Sequence, residues 1–141
     1  PEPGLIMTEA IRSQLEAGRL ARADGRMVDA RNAYARATAL SREARAHSLQ
    51  ALGLRHLAEI DLGARRPEAA LAHADQAAAL YRAHGGSDPL ELAVVLKLAA
   101  LALDELRRSP EAADRWNAAR DLYQAAGDTE AAADCDGRTA G

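Results

Sequence analysis

Residues able to do chemistry are few and scattered in this chain of 141 residues. Four histidines, His47, His56, His73 and His84, could serve as bases or metal ligands. None stands four residues from another with a Glu beside it, the helical pattern that binds zinc in metalloproteases. His73 and His84 share a helix face, but their separation corresponds to about 16 Å of helical rise, too far for one metal ion. Cys135 is the only cysteine, which excludes an internal disulfide and a cysteine-ligated zinc. No basic residue adjoins it to activate the thiol, and it falls in a short terminal helix expected to fray. Gly85-Gly86 lacks the Gly-Lys-Ser/Thr ending of a phosphate loop and reads as a turn. No Gly-x-Ser-x-Gly elbow occurs. The expectation is a protein that is not an enzyme, with no catalytic residues, no metal and no cofactor.

Composition narrows the class further. Apolar residues make up 48% of the chain, and 36 Ala and 19 Leu supply most of them. Val, Ile and Thr together number 10, and Phe is absent, so the β-branched and aromatic residues a sheet needs are missing. Ala, Leu, Arg and Glu are the strong helix formers, and the chain reads as all-α. The length suits one domain.

Seventeen of the 18 basic residues are Arg, which raises the question of nucleic acid. Residues 1–66 hold 11 basic and 8 acidic side chains, the remainder 7 and 13. A half at +3 in a chain at −3 is a weak footprint for a polyanion, so nucleic acid is not an expected partner. The longest apolar stretch, Leu90 to Leu103, contains Lys97 and falls short of the ~20 residues that span a bilayer. Pro1 to Met7 lacks the pattern of a signal peptide. The expected location is cytoplasmic, with no membrane partner.

An internal repeat organises the chain. Ala30, Tyr34, Ala37 and Leu40 recur 40 residues later as Ala70, Ala74, Ala77 and Leu80. A further 42 residues on stand Ala112, Trp116, Ala119 and Leu122. The same offsets relate Gly18, Ala58 and Ala100; Leu20, Ile60 and Ala102; and Arg26, Arg66 and Arg108. The i, i+4, i+7 spacing of Ala30, Tyr34 and Ala37 puts them on one helical face. Small residues at Gly18, Ala58 and Ala100 let the first helix of each pair approach the second.

The spacing and turn signals predict seven helices: Thr8–Ala23, Met27–Arg42, Ala46–Leu62, Pro67–His84, Pro89–Arg107, Pro110–Ala126 and Thr129–Asp136. Asp24-Gly25, Gly85 to Pro89 and Gly127-Asp128 are the expected breaks, with Asp88 and Ser109 as N-caps. Pro67 and Pro110 suit first turns. Arg26, Arg66 and Arg108 would complement the C-terminus of the preceding helix. The units span about 8–45, 46–88 and 89–127, with a terminal helix at 128–136.

These units resemble tetratricopeptide repeats in their longer, ~40-residue form. Gly18, Ala58 and Ala100 match the family's small residue in helix A; Gly25 matches its turn glycine. Ala30-Tyr34-Ala37 and Ala112-Trp116-Ala119 match its helix B pattern, whereas Ala70-Ala74-Ala77 lacks the aromatic. Gln14, Leu54 and Leu96 replace the usual early aromatic of helix A, and Ala21, Asp61 and Leu103 the later Tyr.

The resemblance implies a right-handed superhelix of stacked antiparallel helix hairpins whose concave face is lined by helix A. Carried over by position, that face is Arg12, Leu15, Arg19 and Arg22, then Leu52, Arg55, Glu59 and Leu62, then Val94, Lys97, Leu101 and Asp104. It reads as an apolar stripe, cationic at one end and acidic at the other. The implied function is non-enzymatic binding of a protein or peptide with apolar anchors and acidic flanks. A plainer alternative makes Leu15, Leu52, Val94 and Leu101 core residues. The chaperone-tail clamp of some members needs Lys and Asn where this chain has Leu15, Arg19, His56 and Leu98, which argues against that activity. Two other roles stand beside peptide binding. One is a homodimer scaffold using the same face; the other is a sensor segment excised from a larger bacterial regulator.

Overall fold

A computed structural model describes residues 3–84 and 88–140, and seven helices account for nearly all of them. They are α1 (Pro3–Ala23), α2 (Met27–Glu43), α3 (His47–Gly63), α4 (Pro67–Ala83), α5 (Pro89–Glu105), α6 (Ser109–Ala125) and α7 (Thr129–Ala140). Each helix packs against the next, so α1–α2, α3–α4 and α5–α6 form successive hairpins and α7 lies on α6. No strand occurs among the described residues. The expected break at Gly85, Gly86 and Ser87 lies outside them.

Three expectations need correction. The first helix begins at Pro3 rather than Thr8, because the Thr8 hydroxyl donates to the Gly4 carbonyl from inside the helix. The last helix runs to Ala140 rather than Asp136, and Cys135 lies within it as a buried residue, 1% exposed. Ser109 is not an N-cap. Arg108 takes that place without a side-chain cap, and Pro110 follows in the first turn. Asp88 does cap α5, accepting from Leu90 N at 2.9 Å, and Asp128 accepts from Ala131 N at 3.0 Å.

The displacement at Ser109 follows from how the helices end. Five of them close with one backbone motif, in which the residue past the C-cap is left-handed. The next N–H then reaches back to the sixth residue before it: Arg26 to Ala21, Ala46 to Ser41, Arg66 to Asp61, Arg108 to Leu103 and Asp128 to Tyr123, counting each pair inclusively. The chain leaves this motif directly into the next helix, leaving no room for an extra capping residue. Arg26 and Arg108 therefore sit at N-caps, where their side chains bond Asp29 and Glu111 in the following first turn, and Arg26 also reaches Asp24 at the end of the preceding helix.

Gly25 and Gly127 supply the left-handed residue at two of these ends, but Arg45, Arg65 and Arg107 adopt φ of 54°, 60° and 59° at the others. A side chain in that region costs roughly 1–2 kcal/mol.

Small residues set the inter-helix contacts. Ala30, Ala37, Ala70, Ala74, Ala77 and Ala119 are fully buried, as are Ala58 and Ala100 on the facing helices. At Gly18 a Cβ would stand 2.8 Å from Tyr34 Cζ, so the tyrosine ring occupies the space a side chain would need. The larger core gathers around Trp116, with Leu54, Leu96, Leu103 and Cys135. Trp116 is 1% exposed and donates its indole N–H to Asp104 at 3.0 Å.

Two stability measurements test this account. Trp116→Ala should cost about 3–5 kcal/mol in urea unfolding, the cost of emptying a buried aromatic site. Arg65→Gly and Arg107→Gly should each raise stability by about 0.5–1 kcal/mol, because both side chains are exposed and the left-handed strain is removed.

Candidate functional site

The first two hairpins assemble part of the expected concave face into one groove. Arg12, Leu15 and Arg19 of α1 and Leu52 of α3 line a cavity of about 440 Å³, together with Glu16, Tyr34 and His56. Leu15 and Leu52 are half-buried, so each presents apolar surface while packing on the helices below. The floor comes from α2 and α3. Tyr34 passes beneath Gly18 and stacks on His56 with ring centroids 4.5 Å apart. A side chain at position 18 would force the ring to shift.

Arg22, Arg55 and Glu59 stand beside the groove as an ion cluster. Glu59 Oε1 lies 3.2 Å from His56 Nδ1, 3.6 Å from Arg22 and 3.7 Å from Arg55. Burial pushes the Glu59 carboxyl pKa upward, but His56, Arg55 and Arg22 together hold it below the usual value, so it is ionised at neutral pH. Burial also raises the Tyr34 hydroxyl, against the pull of Arg22.

Proximity here does not amount to bonding. His56 Nδ1, Arg55 Nε and Glu59 Oε1 are buried polar atoms without an aligned hydrogen-bond partner among the described residues. On the rim, Arg19 is bonded to Glu16 at 2.9 Å, while Arg12 has no polar partner among the described residues. Four Arg against two Glu leave the neighbourhood cationic.

The third unit contributes differently. Val94, Lys97 and Leu101 lie on α5 and line no part of this groove. Val94 packs against the cluster of Ala58, Ala74, Leu98 and Ala99, and Leu101 packs against the Trp116 core. Asp104 accepts the Trp116 indole N–H. The physical reason is that α5 is apolar on nearly every side and covered accordingly, with eight buried residues.

The sequence matches no protein-family model and no curated protein.

Two polar clusters had no clear signal in the sequence. Asp61 of α3 is fully buried, 3.0 Å from Arg31 of α2 and 2.8 Å from His73 Nδ1 of α4. A carboxylate there sits in the last turn of α3, where the helix dipole disfavours it, and partners from both neighbouring helices, Arg31 and His73, offset its burial. His47 and His84 stack with centroids 3.5 Å apart across the open end of the second hairpin. Neither histidine pair gathers a third ligand; among the described residues no group of three or more His, Cys, Asp or Glu is placed to hold a metal ion. Burial raises the Cys135 thiol pKa, which disfavours the reactive thiolate.

The Asp61 cluster makes a sharp prediction. Arg31→Met leaves the buried carboxylate with His73 alone and should cost about 2–3 kcal/mol, somewhat below a fully buried broken pair because Arg31 is partly exposed. Asp61→Asn keeps the shape without the charge and should cost less. Equal costs for the two in thermal unfolding would mean that charge is not what the site demands.

Proposed function

We propose that the protein is a non-enzymatic, tetratricopeptide-like interaction module that takes an acidic, apolar-anchored segment of a protein partner on its concave face. The observation that carries this reading is the groove formed by Arg12, Leu15, Arg19 and Leu52 over Tyr34 and His56. Its middle is apolar, its rim holds an uncommitted arginine, and buried polar atoms beside it lack partners. Apolar side chains of a bound segment would rest on Leu15 and Leu52. A carboxylate would pair with Arg12 and compete with Glu16 for Arg19, a geometry in which the guanidinium fork can bond two oxygens at once.

The repeated hairpins, the offsets of 40 and 42 residues and the buried Gly18, Ala58 and Ala100 support the family reading. The placement of Val94, Lys97 and Leu101 outside the groove shortens the recognition surface to the first two hairpins. A short segment of two or three turns therefore fits better than a long one.

Fluorescent helical peptides with Leu at i, i+3 and i+4 provide the test, carrying either Glu or Lys at the flanking positions. The acidic peptide should bind more tightly than the basic one. Arg12→Glu with Arg19→Glu should weaken it by about tenfold or more, equivalent to about 1.4 kcal/mol, without altering the helical spectrum. Equal binding of the two peptides, or an unaffected double variant, would remove the groove from consideration.

A further inference from the structure

The junction of the first two hairpins holds a cavity of about 320 Å³ that shares no lining residue with the groove described above. Met27, Val28, Ile60 and Gly63 give it apolar walls, Arg31 and Arg66 supply two cations, and no acidic side chain among the described residues lines it. It lies between α2 and α3, which are packed on α1 and α4 respectively, and its openness does not come from an end of the array. The offsets of 40 and 42 carry Val28 to Glu68 and Pro110, and both are exposed although a complete hairpin precedes each.

Three departures from the repeat meet at this cavity. Val28, 75% exposed, is apolar where the second unit has Glu68. Arg31 stands where the later units have Leu71 and Ala113. Leu71 packs on two core clusters, whereas Arg31 reaches Asp61. Arg66 is the third departure. Its counterparts Arg26 and Arg108 bond Asp29 and Glu111 three residues on, but the matching residue here is Ala69. Arg66 therefore has no side-chain partner among the described residues.

We propose that this cavity binds a small carboxylate carrying a short aliphatic chain. Charge selects the head group. Asp61 already engages Arg31 at 3.0 Å, so the two arginines leave a single cation uncompensated, which suits a monoanion better than a phosphate or a polyanion. A guanidinium fork matches the two oxygens of a carboxylate. Arg31 lines the cavity with 34% of its side chain exposed, and a guanidinium carries more N–H donors than Asp61 takes up. The aliphatic chain rests on Met27, Val28 and Ile60 and covers apolar surface that water otherwise meets. The volume falls at the lower end of small-molecule pockets, about 300–1,000 Å³, so the chain is short. This inference does not rest on the concave-face groove, which the other set of residues lines.

Titration of the whole chain with sodium octanoate, followed by amide NMR shifts, tests the proposal. Octanoate should bind with a Kd below about 1 mM and shift the amides of Val28, Gly63 and Ala64. Acetate lacks the chain and octanol lacks the charge, and each should bind at least about tenfold more weakly. Val28→Glu installs the residue of the second unit, and Arg66→Gln removes the unpaired cation. Both positions are exposed, so each variant should keep its helical spectrum while weakening octanoate by about tenfold. The proposal is overturned by an absence of binding at millimolar octanoate, by octanol that matches octanoate, or by shifts confined to residues outside the cavity. Full affinity in either variant overturns it as well. A peptide whose C-terminal Leu carboxylate binds there more tightly than octanoate would also overturn it, by assigning the site to a chain terminus.

Discussion

Close approach of helices through side chains of one carbon or none is the constraint on which the rest of this structure depends. Buried alanines recur along α2, α4 and α6, facing Gly18, Ala58 and Ala100 on the partner helices. An alanine contributes little apolar area by itself, so a core made of it gains stability from close interdigitation and many weak contacts. Such packing tolerates few large residues, and each one has a defined berth. Tyr34 lies under Gly18, and Trp116 lies within the larger core with its N–H on Asp104. Where the berth opens at the surface, as it does for Tyr34, a groove results.

Uniform spacing also requires uniform turns. The same left-handed closure ends five helices, and it forces the next helix to begin almost at once. The array is held in register by backbone geometry, even where an arginine must take a conformation that glycine adopts more easily. Short connections of this kind keep contacts local, since each helix meets mainly its neighbours in sequence. The Arg31–Asp61–His73 cluster is the polar counterpart, tying three successive helices at one buried carboxylate.

Charge is distributed over this scaffold unevenly, and the packing decides which charges remain available. Arg22, Arg55 and His56 surround Glu59, and Arg19 is shared with Glu16, so Arg12 is the freer cation of the groove. The acidic residues of α7 face outward because its small buried face is satisfied by Ala132 and Cys135.

The sequence by itself determined the helical class, the number of helices and the repeat, because Ala-rich 3.6-residue periodicity and offsets of 40 and 42 are properties of the residue order alone. Arg12, Leu15, Arg19 and Leu52, which the resemblance to tetratricopeptide repeats carries onto one face by position, line one cavity. Helix ends were less legible: Thr8 and Ser109 carry capping side chains, yet the backbone closure of the preceding turn and the helical bond to Gly4 override them. Only the tertiary structure decided what lies between elements. It buried Asp61 between Arg31 and His73, stacked Tyr34 on His56, and separated Val94 and Leu101 from the groove. Those outcomes depend on which neighbour meets each side chain across a helix interface, and residues distant in sequence carry no local signal of that meeting.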